Sequence, residues 1–287
     1  MLGLTNGLHY PNPPSGFSPE QISTLVAWWD FSDTENMFTD AGSTKVSAND
    51  DKIYRINNKA YSLIATPNNA LGTFLQQTTE ANRPLYKTAG GGCALFDGSN
   101  DMLNAKPSVG NVDVNKLSDT TLNGRELTIF YVVELPGTTV SGDEYLFHTC
   151  GADPNDRFSI YVDNDGSSDA WQTHHQNNSA RTNTIINSGI SLTTSKELWT
   201  VDLDGASSGS VYRNGDTSDG VTNGATDDHD INLSVNDNDV KINIGANAAG
   251  SDYLNGIVYE MIVYDAALSD ANISLVEAFL MSKHSIS

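Results

Sequence analysis

Basic residues are scarce in this chain: 15 lysines and arginines stand against 36 aspartates and glutamates, a formal charge of −21. A surface of that sign repels polyanions, which excludes nucleic acid and anionic membrane as natural partners. Long apolar runs are missing too, and none approaches the length that spans a bilayer. The opening Met1–Gly7 has neither a basic region nor a continuous apolar stretch, so no secretory leader is expected and the chain is expected to fold in a cytoplasm. There are 2 cysteines, Cys93 and Cys150. In that compartment they are expected to be free, buried thiols, although one bridge between them remains open. No repeat of 20–50 residues is present, and no glycine-rich loop leads from a strand into a helix to hold phosphate.

What is abundant is turn chemistry. Asn-Gly and Asp-Gly dipeptides punctuate short runs rich in Val, Ile, Tyr, Phe and Thr, a pattern of all-β proteins. The runs 127–134, 157–163, 197–203 and 239–245 alternate or are bounded by turns, as strands with one buried face require. Helix is expected only at the edges. Ser18–Pro19–Glu20–Gln21 has capping-box spacing with proline at the first helical position. Near the other end, Asn255–Gly256 opens a long β-branched and aromatic run. Ser269 then stands as an N-cap, Asp270 complements the helix dipole, and Ile273, Val276, Phe279 and Leu280 recur at helical spacing. A single unit over residues 18–287 is expected, with 105–123 as an excursion between strands. The segment before it, residues 1–17, carries Pro11, Pro13 and Pro14 and reads as an extended arm. Leu2, Leu4, Leu8, Tyr10 and Phe17 are its candidate attachment residues.

Catalytic signatures are thin. No glutamate is followed two positions later by aspartate, so the Glu-x-Asp-x-x-Glu arrangement of sandwich glycosidases is missing. Asp33 with Glu35, and Asp202 with Asp204, are spaced to share a strand face, yet both pairs lie at turns, where Asp serves backbone geometry. No catalytic residue is therefore assigned. His174 and His175 are adjacent and point to opposite sides of a strand, which is wrong for chelation by the pair alone. With Trp171 and the neighbouring amides, Gln172 to Asn178 has the makeup of a sugar-binding surface, in which a ring stacks on the sugar and amides bond its hydroxyls. Trp171, His174 and His175 are the glycan-binding candidates; the competing reading puts Trp171 in the core.

Five segments, in order along the chain, carry a resemblance. They are Leu25–Asp33, Arg83–Tyr86 with Cys93–Asp101 (CALFDGSND), Leu127–Val133, Val211–Gly215, and Leu254–Asp265 running on through Ala266–Asp270. Together they resemble laminin-G-like, concanavalin A-like jelly-roll domains. The resemblance implies a two-sheet antiparallel sandwich with a short C-terminal helix, and makes Glu260 a structural position of the closing strand. It does not by itself fix a function, because such folds host lectins, adhesion modules, virion proteins and glycosidases. Domains of this kind often hold calcium at a loop rim. Here Asp163–Asn164–Asp165–Gly166 copies the start of an EF-hand loop without its closing Glu, so Asp163 and Asp165 are the calcium candidates, with Asp227, Asp228, Asp230 and Asn236–Asp239 as further acidic clusters. A cytoplasmically folded adhesive jelly roll with an apolar arm looks like a phage structural protein. The expectation is a non-enzymatic virion-surface protein, a capsid decoration or a tail fibre or spike. Its partners would be other virion proteins, copies of itself and a host-surface glycan. The alternatives are a bacterial carbohydrate-binding module and a glycosidase or polysaccharide lyase.

Overall fold

The computed structural model describes residues 13, 15–63, 73–105, 126–150, 157–164, 169–176, 183–204, 209–223, 241–247 and 249–287. In chain order the strands are β1 (Leu25–Asp30), β2 (Met37–Phe38), β3 (Arg55–Asn57), β4 (Phe74–Gln76), β5 (Leu85–Lys87), β6 (Cys93–Asp97), β7 (Leu103–Ala105), β8 (Glu126–Glu134) and β9 (Glu144–Cys150). They continue as β10 (Arg157–Asp163), β11 (Ala170–Gln176), β12 (Asn183–Asn187), β13 (Glu197–Asp204), β14 (Gly209–Arg213), β15 (Asp216–Asn223), β16 (Lys241–Ile244) and β17 (Asn255–Tyr264). Two α-helices are described, α1 (Lys59–Leu63) and α2 (Asp270–His284).

The strands make two antiparallel sheets. One has 8 strands in the order β15-β14-β13-β8-β17-β6-β5 with β1 also on β17; the other has 9, in the order β12-β11-β10-β9-β16-β7-β4-β3-β2. Alternation explains why they stack. Trp29, Tyr131, Trp199 and Met261 of the first sheet face Leu75, Phe147, Phe158, Trp171 and Ile242 of the second, and all are buried in one core cluster. Burying such side chains between layers is the main favourable term for the fold, at about 1.5–3 kcal/mol each. The expected runs 127–134, 157–163 and 197–203 fall on β8, β10 and β13; β16 covers 241–244 of the fourth, whose residues 239–240 lie outside the described residues. The hairpin between β14 and β15 turns on Asn214 (φ 51°) and Gly215 (φ 70°), the two positive φ values that a type I′ turn demands. The Asn214 side chain accepts the Leu198 N–H at 2.9 Å, tying the turn to β13.

The 8-stranded sheet is apolar on its outward side as well. Trp28, Phe130, Val132, Leu198, Ile262 and Tyr264 form a second buried cluster there with Ile273, Val276, Leu280 and Met281 of α2. The helix begins as expected, with the Ser269 hydroxyl accepting from the Asn272 N–H and Asp270 in the first turn. A register shift between Val258 and Glu260 leaves Tyr259 bulged against β8. Val258 and Met261 therefore both face the core while Tyr259 and Glu260 both face the helix side. Glu260, wholly buried, accepts from Trp28 Nε1 (2.6 Å) and Lys283 Nζ (2.6 Å) and lies 2.6 Å from His284 Nε2. Lys283 and Lys59 also grip Asp30, at 2.7 and 3.0 Å. Burial alone would raise the Asp30 carboxyl, but the two ammonium groups outweigh it and hold it at about 2.

The N-terminal expectation needs correction. Pro19–Gln21 is one turn of 3-10 helix, and the Ser18 hydroxyl donates to the Glu20 carboxylate instead of capping the backbone, so no capping box forms. Phe17, an expected attachment residue, is half-buried against α2, its ring 6.2 Å from that of Phe279. It anchors the end of the arm to its own sandwich. Leu2, Leu4, Leu8 and Tyr10 lie outside the described residues.

Candidate functional site

The outward face of the 9-stranded sheet is built differently from every other face. Pairing places Arg55 opposite Gln76, Gln76 opposite Asn104, Asn104 opposite Asn243, Asn243 opposite His148, His148 opposite Ser159 and Ser159 opposite His174. One line of hydrogen-bonding side chains thus crosses the sheet from β3 to β11. The residues one position along, Ile56, Leu75, Ile242, Phe158 and Thr173, point the other way into the core, as the two-residue period of a strand dictates. The polar line is a consequence of register, since a slip of one residue would bury it between the sheets.

Its middle is buried and knit together. Ser159 Oγ is 2.9 Å from His148 Nδ1, the Tyr161 hydroxyl donates to Gln172 at 2.9 Å, and Gln172 donates to Asp163 at 2.7 Å. Asn243 donates to the Asn247 carbonyl at 2.7 Å. Beside this network the rings of Tyr145 and Tyr161 stack at 4.9 Å and 12°. A bulge makes that pair possible, because Ile160 opposes Phe147 while Tyr161 opposes Tyr145, so β9 has one extra residue there. Ser159 and His148 have the separation of a nucleophile and its base, but at 0% and 2% exposure they serve as an internal hydrogen bond. The β3–β4–β7 end is open by comparison: Arg55, Asn57, Phe74, Gln76 and Asn104 are half-buried. The Arg55 guanidinium lies 4.2 Å from the centre of the Phe38 ring and 5.3 Å from that of Phe74. This end offers ring surface, amides and a cation together, the set that stacks on and hydrogen-bonds a polyol.

The sequence-derived candidates distribute unevenly over this arrangement. Trp171 is corrected: at 1% exposure, with its ring 5.3 Å from Tyr131 and 6.2 Å from Trp199, it is a core residue and presents no face to a sugar. His174 does lie on the outward polar line, buried at 6% with its ring 6.5 Å from Tyr161. His175 pairs through its backbone with Phe158 and Thr184; its side chain lies outside the described residues. The Asp163 carboxylate is engaged by Gln172, and Asp165 lies outside the described residues, as do Asp227, Asp228, Asp230 and 236–239. Among the described residues, no three His, Cys, Asp or Glu are grouped to hold a metal. Asp33 caps the turn through the Glu35 N–H and pairs with Lys59, while Glu35 pairs with Lys45. The Thr128 hydroxyl lies 2.8 Å from Asp202 and 2.8 Å from the Ala266 carbonyl, which makes Asp202 part of the joint that starts α2. Cys93 is a free thiol, and burial pushes it up to about 11.

Sequence reasoning missed Arg55, Gln76, Asn104 and Asn243, because the line they form depends on which strands are neighbours. It also missed a pocket of about 470 Å³ beyond the end of α2, lined by Lys196, Glu197, Arg213 and Ser287, in which Arg213 is committed to Glu197 at 3.1 Å. Asp101, in the turn after β6, is held at about 6 by its burial and by the charge of Asp97.

Residues 109–274 match the family described as the Concanavalin A-like lectin/glucanases superfamily. No curated protein matches the sequence. Solved structures with related chain paths include a Ruminococcus gnavus IT-sialidase CBM40 bound to alpha2,3 sialyllactose, at 12% identity and TM-score 0.48, with 64% of this chain and 96% of that one covered. Domain 4 of AbnA, a GH43 extracellular arabinanase from Geobacillus stearothermophilus, in complex with arabinotriose, aligns at 14% identity and TM-score 0.48 over 88% and 98% of the two chains. A Trypanosoma rangeli sialidase aligns at 13% identity and TM-score 0.47; 91% of this chain is covered but only 33% of that one.

Proposed function

The chain belongs to the Concanavalin A-like lectin/glucanases superfamily, and from that premise we propose that it is a non-catalytic binding protein that receives a glycan on the outward face of its 9-stranded sheet. The observation that carries this is the polar line from Arg55 to His174, open at its Arg55–Gln76–Asn104 end. A sugar offers hydroxyls in one plane and C–H groups on its faces, and this end offers amides at strand spacing beside the Phe74 ring. Binding is favoured over bond cleavage by how the carboxylates are used: Asp33, Glu35, Asp202, Glu260 and Asp30 hold turns, helices and strands together.

The resemblance to phage structural proteins supports a place on a virion surface, where such a face would serve host adhesion and the residues ahead of Phe17 would serve attachment to the particle. A stand-alone carbohydrate-binding module would use the same face. Calorimetric titration against a panel of glycans is the test. The wild-type chain should bind at least one, and Gln76→Ala with Asn104→Ala should weaken that binding about thirtyfold, each lost contact contributing on the order of 1 kcal/mol. Full affinity in the double variant would move the site elsewhere, and no binding by the wild type would end the glycan reading. Mass spectrometry of purified particles decides the virion placement, since absence from them leaves the module reading.

A further inference from the structure

Arg55 stands apart from the other basic side chains that are described. Lys45, Lys52, Lys59, Lys87, Arg213 and Lys283 each hold a carboxylate. Arg83 and Lys196 hold main-chain carbonyls. Among the described residues the Arg55 guanidinium has neither, and its Nε is buried without a hydrogen-bond partner. Asp40 is near enough to feel the charge, but it spends its oxygens on the Thr44 hydroxyl and on the Gly42 and Thr44 N–H groups. Phe38 and Phe74 hold the guanidinium from two sides, so its planar fork is oriented before any ligand arrives.

A guanidinium that meets no carboxylate among the described residues is unexpected in a chain with 36 acidic residues. Resting on the glycan reading of this face, the geometry points to Arg55 as the residue that selects an acidic glycan, one carrying a carboxylate or a sulfate group. Both groups present two oxygens in the spacing a guanidinium fork accepts, and such charge-assisted pairs are roughly twice as strong as neutral ones. Asn57, Gln76 and Asn104 are left to meet the hydroxyls of the same sugar. The negative charge of the whole molecule does not oppose this at close range. At physiological salt its field is screened over about 8 Å, whereas a seated carboxylate is within direct contact of the arginine.

The test is an array of matched neutral, carboxylated and sulfated glycans, probed with the full chain in about 0.15 M salt. Wild-type protein should prefer one acidic class, and which class identifies the group. Arg55→Gln should bind that class about tenfold or more weakly while its binding of the matched neutral glycan falls by less, so that the preference between the two is lost. Arg55→Lys should fall between, since it keeps the charge and loses the fork; it also decides the matter if Arg55→Gln fails to fold. A preference for neutral glycans, or acidic binding that survives both substitutions, overturns the role of Arg55 and leaves the glycan face standing. Binding to nothing on the array overturns the glycan reading and the selectivity together.

Discussion

The two outward faces of this sandwich are made by the same alternation and end in opposite states. That of the 8-stranded sheet carries Trp28, Phe130, Ile262 and Tyr264 and is sealed by α2, which brings Val276 and Leu280 down onto it. That of the 9-stranded sheet carries Arg55, Gln76, Asn104, Asn243, His148 and His174, and no α-helix packs on it among the described residues. The difference separates the face that folding seals from the face that folding leaves polar. A helix-covered face needs apolar residues because its burial supplies folding energy, and a receptive face needs polar groups because its contacts must form with something else.

Breaking the sealed face should have the largest effect. Glu260→Ala strips the shared partner from Trp28, Lys283 and His284 inside a site of 0% exposure, and removing one side of such a buried cluster costs about 3–5 kcal/mol. Denaturant melts should show that loss. Glycan affinity measured per folded molecule should stay unchanged, and a parallel fall would mean the two faces are coupled.

A second, pH-dependent strain sits on the same face. Glu277 of α2 is buried against β13 with the Thr200 hydroxyl 2.7 Å away, and burial pushes its carboxyl up to about 7, with the Thr200 bond pulling the other way. Because the folded pKa lies above the unfolded one, the folded state binds this proton more tightly. The stability it contributes is complete below about 4.5 and is lost as pH rises through 7. The loss is on the order of 2–3 kcal/mol. Glu277→Gln should therefore remove most of the decline in melting temperature that the wild type shows between pH 5 and pH 8, leaving the part that Asp101 contributes. An unchanged slope in the variant would assign the decline to another group.

The proposed binding face should show the smallest effect on folding. Gln76→Ala and Asn104→Ala replace half-buried polar residues, and each should change stability by no more than about 0.5 kcal/mol. A larger cost would mean that these amides are structural, and the contrast between the faces would soften.

Most of the fold could be read from residues. Ser269, Asp270 and the Ile273–Val276–Leu280 spacing specify α2, because a cap and a 3.6-residue stripe act over one or two turns. The Asn214–Gly215 turn and the apolar run of β17 were legible for the same local reason. The candidate site was legible only in part. His174 lies on the outward polar face, but Trp171, three residues away on the same strand, points into the core. The bulges at Tyr259 and in β9 were hidden too, since an extra residue in a strand has no composition of its own and is set by the partner strand.

By itself the sequence determined the class of fold, the terminal helix, the turns and the sign of the surface, all of which follow from local propensity, period and charge. Only the tertiary structure decided which strands are neighbours. That choice placed Arg55, Gln76, Asn104, Asn243, His148, Ser159 and His174 on one line although Arg55 and Asn243 stand 188 positions apart in the chain. It also left Arg55 between two rings with no carboxylate on it among the described residues, a matter of three-dimensional neighbourhood that no spacing along the chain encodes.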